Sequence, residues 1–188
     1  MSWIDFSEFQ VIPSIRRLGD LEIALNSDAQ VILLTEAHIA NLQELVKLVH
    51  AKDKKALVNL ELLGGFGKDH VGMKLLKNYY HVDGVMSTDS GKLGMAKQCG
   101  LVTFQRFFLH DSRSFETALK IIECSRVDGA ELLPAIMALD CYQTLTAVAK
   151  IPLLAGGFIR DREMMEKIKR CGFKGLTVSD KSLWYSNF

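Results

Sequence analysis

The 188-residue sequence lacks several features that would each assign it to a particular class of protein. Its four cysteines form no CxxC pair and have no spacing typical of metal ligands, so we expect buried free thiols and no metal site. No basic-then-apolar leader begins the chain, and no apolar run approaches the roughly 20 residues that span a bilayer. These absences predict a cytoplasmic protein with no membrane partner.

An excess of one charge is also missing, since the formal net charge is only +1. Short basic groups occur at Arg16-Arg17, Lys52–Lys55 and Lys167–Arg170, and each is interpreted as the solvated end of a helix. The chain has no arginine-rich arm and no aromatic motif of the kind that stacks RNA bases. Composition alone therefore does not indicate RNA binding.

No low-complexity stretch or Pro/Gly/Ser-rich linker divides the chain, so we expect a single domain over residues 1–188. Short apolar runs alternate with longer segments of helical period, which is typical of successive βα units. Strands are predicted at 11–15, 31–35, 56–63, 84–87, 101–107, 129–133, 153–155 and 175–178. Helical segments are predicted at 18–26, 39–52, 69–79, 90–99, after Asp111 or Ser112, and at 136–149, 161–170 and 180–184. Eight units in strict alternation predict a compact α/β fold, the (β/α)₈ TIM barrel, rather than an open doubly wound sheet.

Two glycines follow the predicted seventh strand, and small polar residues end the eighth. Gly156-Gly157 would let backbone N–H groups approach an anion, with Thr177 and Ser179 beside them. The loops after strands seven and eight form a phosphate site in many TIM barrels. The alternative is that the two glycines only make a tight turn. We favour phosphate binding by Gly156, Gly157, Thr177 and Ser179.

The third strand carries an alternating pattern. Asn59 and Glu61 share one face, while Val58, Leu60 and Leu62 share the other. In a barrel the apolar face meets the helices and the polar pair points inward near the carboxyl-terminal mouth. We therefore expect Asn59 and Glu61 to face a ligand.

Further polar residues lie near the ends of other predicted strands. Arg106 is in the fifth strand, Glu131 is in the sixth and His38 follows the second. Glu61 and Glu131 are either paired carboxylates for acid/base chemistry or ion-pair partners of Arg106. His38 either caps the second helix or contacts a ligand. These spacings match no metal site, and they predict a bound ligand more than a reaction.

Short motifs spanning almost the whole chain occur in a definite order: Ile12–Arg16, Leu33–Thr35 with His38-Ile39, Gly65–Asp69, Asp83–Thr88, Thr103–Arg106, Glu131–Pro134, Ala155–Ile159 and Ser179–Trp184. This ordered set resembles the glycerol uptake operon antiterminator regulatory proteins. The resemblance implies a small TIM barrel that binds glycerol 3-phosphate and acts, without catalysis or a cofactor, on the leader mRNA of glycerol-utilisation genes. By position, the phosphate would lie on Gly156, Gly157, Thr177 and Ser179.

The chain departs from the pattern of that family at several positions. Asn59 and Glu61 stand where the family has His and Asp, Gly64 where it has an acidic residue, and Asp89 where it has a basic one. The predicted phosphate loops are largely intact, so the departures concern the rest of the ligand and the RNA.

Two hypotheses therefore remain. The first is a glycerol 3-phosphate-responsive antiterminator. The second is a small TIM-barrel enzyme acting on a phosphorylated molecule, with Glu61 or Glu131 as acid/base. The oligomeric state is open, because Trp184, Tyr185 and Phe188 offer apolar surface either to the barrel or to a second copy of the chain.

Overall fold

Eight parallel strands close into a barrel in sequence order in the computed structural model, which describes residue 4 and residues 6–185. The strands are Gln10–Ile15 (β1), Val31–Leu34 (β2), Lys55–Asn59 (β3), Gly84–Ser87 (β4), Val102–Phe108 (β5), Gly129–Leu133 (β6), Leu153–Gly156 (β7) and Gly175–Val178 (β8). Pairing of β8 with β1, in which Val178 lies beside Pro13, closes the barrel. The predicted TIM barrel is confirmed.

Helices alternate with the strands. In the described part of the chain the α-helices are Leu21–Leu25 (α1), Leu42–His50 (α2), His70–Asn78 (α3), Ser90–Gln98 (α4), Ser112–Cys124 (α5), Ala135–Val148 (α6) and Arg162–Cys171 (α7). Two short 3₁₀ turns, Leu18–Asp20 and Lys181–Leu183, precede α1 and follow β8. The predicted eighth helical segment is the second of these turns.

Aspartates begin several of the helices, as is usual for residues whose side chains accept hydrogen bonds from the first helical turn. The carboxylate of Asp111 accepts the N–H of Ser114 at 2.8 Å, and the Ser114 hydroxyl accepts the N–H of Asp111 at 3.0 Å. Asp161 accepts the N–H of Met164 at 2.8 Å in the same way at the start of α7. The reciprocal bonds between Asp111 and Ser114 hold the β5–α5 loop in one conformation.

The core has two layers because successive strand residues point to opposite sides of the sheet. One layer lies between the strands and the helices. The other fills the barrel, and its members on the strands are Ile12, Val31, Leu33, Leu57, Met86, Phe104 and Leu154. Two residues further along the same strands, the inward positions become polar, with Ser14, Asn59 and Arg106. The carboxyl-terminal mouth of the barrel is therefore lined with polar groups.

The third strand is shorter than predicted, and Glu61 is not on it. β3 ends at Asn59, whose backbone carbonyl accepts the N–H groups of Leu62 at 3.2 Å and Leu63 at 3.1 Å. The Asn59 side chain also accepts the N–H of Glu61, at 3.0 Å. These local bonds replace the strand ladder, as Asn side chains often do at turns. The prediction that Asn59 and Glu61 share an inward face is wrong, and Leu62 is 56% exposed rather than packed against a helix.

The second helix begins at Leu42, three residues later than predicted, and His38 does not cap it through its side chain. Instead, the N–H of His38 donates to the Asn41 side chain at 2.8 Å. His38 also pairs with Gly64 in an isolated bridge, and Ile39 donates to the Gly64 carbonyl at 3.1 Å. The β2–α2 loop is thereby attached to the β3–α3 loop.

The four cysteines are free, as predicted, but their predicted burial is wrong, because Cys124 is exposed and Cys99, Cys141 and Cys171 are only partly buried. Trp184 is buried, and its indole N–H donates to the Val178 carbonyl at 2.8 Å. Tyr185 is 42% exposed, and Phe188 lies outside the described residues. None of the described helices has the length and apolarity needed to cross a bilayer.

Candidate functional site

A buried ion pair lies at the centre of the mouth. Glu131 is fully buried, and its two carboxylate oxygens have different partners. Arg106 Nε donates to Glu131 Oε2, and the Thr177 hydroxyl donates to Glu131 Oε1 at 2.5 Å. A carboxylate without water needs such partners to remain ionised. Of the two interpretations offered for Glu131, the structure supports the ion pair with Arg106.

Gly156 lies directly against this pair. A Cβ atom on Gly156 would come within 2.7 Å of both Glu131 Oε1 and Thr177 Oγ1. Only glycine permits that approach. Gly157 and Phe158 follow with φ angles of 79° and 57°, so the chain turns sharply through two left-handed residues. The Gly-Gly pair therefore has a structural role at the buried pair and in the turn.

A cavity of about 430 Å³ opens at the mouth beside the ion pair. Gly157, Thr177 and Ser179 line it, whereas Gly156 does not. Three arginines also line it: Arg16, Arg106 and Arg160, with the hydroxyl of Ser14 among them. We refer to this space as the mouth cavity. Its volume lies within the range of small-molecule sites.

The mouth cavity is electropositive. None of its described lining residues is acidic, and only Arg106 of the three arginines has a carboxylate partner. Arg16 and Arg160 are exposed and form no ion pair within residues 6–185. Two uncompensated guanidinium groups beside a hydroxyl-lined wall attract an anion.

A neighbouring cleft of about 330 Å³ shares Arg16 and Ser179 with the mouth cavity. Asp180 lines this cleft, and the hydroxyl and backbone N–H of Ser182 donate to its carboxylate and hold its pKa below the usual value. Lys181 and Asp20 form an ion pair of 3.0 Å there. The cleft thus contains balancing acidic groups that the mouth cavity lacks.

The remaining predicted ligand residues form a second group on the β3 and β4 side of the mouth. Glu61 accepts the Ser87 hydroxyl at 2.6 Å and the backbone N–H of Thr88 at 3.2 Å. Asn59 is 1% exposed. Neither of these residues, nor the exposed His38, lines the mouth cavity. Of the five predicted ligand residues, Arg106 alone lines it.

Sequence reasoning missed Ser14, Arg16 and Arg160 as site residues. Arg16 was interpreted as a solvated charge, yet the strand period contained a usable signal. Ser14 and Arg16 continue the inward parity of Ile12, which belongs to the core inside the barrel. Arg160 had no comparable signal, because it lies in the loop after the left-handed turn at Gly157-Phe158, where the alternation of a strand no longer predicts which way a side chain points.

The carboxylates of the site are occupied by internal partners, with Glu131 bonded to Arg106 and Thr177, and Glu61 bonded to Ser87 and Thr88. An acid/base group must also reach a reacting atom, and the fully buried Glu131 does not line the mouth cavity. In the described part of the chain, no three His, Cys, Asp or Glu residues are grouped so that they could hold a metal ion. The arrangement is suited to binding an anion.

Closure of eight alternating strands places the chain among the TIM-barrel proteins. Within that class, the family model for the glycerol-3-phosphate responsive antiterminators matches residues 11–184. The chain therefore belongs to that family.

The chain is also similar to individual proteins. The chain is similar to the glycerol uptake operon antiterminator regulatory protein of Listeria monocytogenes str. 4b F2365, with 31% identity, a TM-score of 0.88, and coverage of 96% of this chain and 97% of that one. A glycerol uptake operon antiterminator-related protein from Thermotoga maritima MSB8 shares the fold, with 21% identity, a TM-score of 0.83, and coverage of 94% and 98%. An uncharacterized protein of Escherichia coli (strain K12), YgcP, is 28% identical over 174 residues, which are 93% of this chain and 91% of the relative.

Proposed function

We propose that this chain is a non-enzymatic regulator that binds glycerol 3-phosphate in the mouth cavity and then acts on the leader mRNA of glycerol-utilisation genes. Family membership supports the ligand and the regulatory class. The proposed location of the ligand rests on Arg16 and Arg160, which line the mouth cavity and have no ion-pair partner among residues 6–185. A phosphate dianion neutralises both of them.

The residues of the cavity have separate roles in this proposal. Gly157 contributes a wall without a side chain, and Ser179 contributes a hydroxyl donor. The Thr177 proton is committed to Glu131, so Thr177 and Gly156 contribute mainly by holding that carboxylate and, through it, Arg106. Arg106 would then direct its remaining N–H donors toward the ligand.

Calorimetric titration with glycerol 3-phosphate tests the site. We expect Arg16→Gln and Arg160→Gln each to weaken binding about tenfold, because a hydrogen bond to a charged group contributes about 1.5–3 kcal/mol. Arg126→Gln is the matched control, since it removes an equal charge from the α5–β6 loop at the opposite end of the barrel. Glycerol without phosphate is expected not to bind. Absence of binding by the unaltered chain at millimolar glycerol 3-phosphate would disprove the ligand.

A gel-shift titration of the leader transcript tests the regulatory step. We expect glycerol 3-phosphate to tighten RNA binding, because a ligand shifts an equilibrium only through different affinities for the two states. RNA must then tighten glycerol 3-phosphate binding by the same factor. A transcript that is not bound either with or without the ligand would contradict the RNA part of the proposal.

The enzymatic alternative has less support, since Glu61 and Glu131 are both engaged by internal partners. The TIM-barrel fold alone does not decide between a regulator and an enzyme, because TIM barrels host many chemistries. Incubation with phosphorylated C3 compounds, followed by NMR, is expected to show no turnover. Turnover that disappears in Glu61→Gln would favour the enzyme instead.

A further inference from the structure

A second cavity, of about 410 Å³, lies between the end of β5 and the start of α5. Three aromatic residues line it, the buried Phe107 and the exposed Phe108 and His110, together with Arg106 and Arg113. We refer to it as the flanking cavity. Arg106 is the structural link, because it lines both the flanking cavity and the mouth cavity.

The rings of Phe108 and His110 are parallel and exposed, and we refer to this pair as the platform. Their planes differ by 2° and their centroids are 5.8 Å apart, which is an offset stack. Phe108 is 42% exposed and His110 is exposed as well. An apolar ring left in solvent at the end of a strand, already aligned with a second ring, favours stacking by another planar group.

The platform is held in place before any partner arrives. The N–H groups of His110 and Asp111 both donate to the Ser114 hydroxyl, at 2.9 and 3.0 Å, and Asp111 caps α5 in return. A partner that stacks there does not have to order the loop, which lowers the entropic cost of binding.

Two arginines, and the carboxylate of the helix cap Asp111, lie beside the platform. The Arg106 guanidinium carbon lies 5.6 Å from the centre of the Phe108 ring, and Arg113 is exposed with no ion pair among residues 6–185. Arg106 is paired with Glu131, so Arg113 is the cation that remains for a further anion. An aromatic face beside such a cation is a combination that binds single-stranded nucleic acid, because bases stack on the rings and phosphates meet the cation. The rest of the described lining is mixed, with polar Thr88, Gln105, Asp111, Ser114 and Thr117 beside apolar Phe107 and Ile121. A second copy of the chain is therefore the other occupant that the experiments below distinguish.

We propose that the flanking cavity is a nucleobase subsite for single-stranded RNA, and that Arg106 couples it to the ligand in the mouth cavity. This proposal rests on the proposed function above. A phosphate in the mouth cavity would contact the Arg106 guanidinium, which also lies over Phe108 and pairs with Glu131. We therefore expect the position of the Arg106 guanidinium over the Phe108 ring to differ between the free and the liganded protein. This difference would change how strongly a base stacks on the platform.

Fluorescence anisotropy with the labelled leader transcript, at saturating glycerol 3-phosphate, tests the subsite. Phe108→Leu keeps an apolar side chain and removes the ring, so we expect RNA binding to weaken about fivefold or more. Tyr79→Leu is the matched control, because Tyr79 is 54% exposed but lies at the end of α3, outside both cavities. Glycerol 3-phosphate binding is expected to be unchanged in both variants.

Arg106→Lys tests the coupling, since lysine retains a cation for Glu131 but lacks the planar guanidinium over Phe108. We expect the ligand to enhance RNA binding less in this variant than in the unaltered chain. Equal enhancement would remove Arg106 from the coupling.

Photocrosslinking of 4-thiouridine in the transcript provides a measurement that needs no variant. Crosslinks are expected in the peptide that contains Phe108 and Arg113. Crosslinks confined to other peptides, or a Phe108→Leu chain that binds RNA as tightly as the unaltered one, would overturn the subsite. Loss of self-association in Phe108→Leu, with RNA binding intact, would assign the surface to a second copy of the chain. If the unaltered chain binds no transcript, the proposed function itself fails and the subsite fails with it.

Discussion

Replacing Gly156 by alanine should destabilise the protein more than a single added methyl group normally does. The new Cβ would lie 2.7 Å from both Glu131 Oε1 and Thr177 Oγ1, and both atoms belong to a buried hydrogen bond that has no room to move toward solvent. Overpacking a core costs about 1–3 kcal/mol, and weakening a hydrogen bond to a charged group costs about 1.5–3 kcal/mol. We expect a loss of about 3 kcal/mol in the free energy of unfolding.

Urea denaturation followed by circular dichroism measures this loss, and thermal unfolding should show a melting temperature lower by about 6–12 °C. Gly94→Ala is the matched control, because Gly94 is in α4 and a Cβ there has no atom within 4 Å. We expect Gly94→Ala to leave stability unchanged or raise it by up to about 1 kcal/mol, since alanine is the better helix former.

A double-mutant cycle identifies the cause. Thr177→Ala removes one of the two atoms that the new Cβ meets, so Gly156→Ala should cost at least about 1 kcal/mol less in that background. Two results would refute the reasoning: strictly additive losses, or a Gly156→Ala chain within about 0.5 kcal/mol of the unaltered protein.

Three further predictions follow from other contacts. Glu131→Gln breaks the ion pair with Arg106, and we expect it to lower the free energy of unfolding, measured by urea denaturation, by about 3 kcal/mol. An unchanged urea midpoint would mean that the pair contributes nothing to stability. A backbone N–H of α5 holds the pKa of Asp111 below its usual value, so the cap stabilises α5 above the unfolded pKa of about 3.9 and loses this effect as pH falls. The protection factors of the α5 amides, which are corrected for the pH dependence of intrinsic exchange, should therefore fall in acid, and should fall less in Asp111→Asn than in the unaltered chain. Burial raises the pKa of the Cys141 and Cys171 thiols, so iodoacetamide at neutral pH should modify the exposed Cys124 first, as mass spectrometry would show; the reverse order would contradict the assigned burial.

The alternation of strands and helices was predictable from the sequence because it depends on local periods. Apolar runs of four to seven residues form β1–β8, and helix-period segments follow them. The sequence limited the cap of α5 to Asp111 or Ser112 for the same reason, since capping depends on neighbouring residues, and the structure selects Asp111. The end of β3 was not predictable, because the Asn59 side chain replaced the ladder with a turn and moved Glu61 out of the barrel.

The candidate site was predictable only in part. Gly157, Thr177 and Ser179 were located by the rule that TIM barrels use the loops after strands seven and eight, and all three line the mouth cavity. Arg160 was not found, because an arginine in a loop looks the same whether it faces solvent or another loop. Arg16 was overlooked although it continues the inward parity of Ile12 on β1.

What the sequence determined by itself is therefore the set of elements and their order, since hydrogen bonds within a few residues and apolar periods specify those. Only the tertiary structure decided which side chains meet. Glu131 is 25 residues from Arg106 and 46 from Thr177, and closure of the barrel brings all three together against Gly156. The same closure joins the loops after β1, β7 and β8 around one cavity. Two arginines of that cavity, Arg16 and Arg160, have no ion-pair partner among residues 6–185. Contacts across closed strands depend on register and on the geometry of the whole ring, which no local segment of the chain contains.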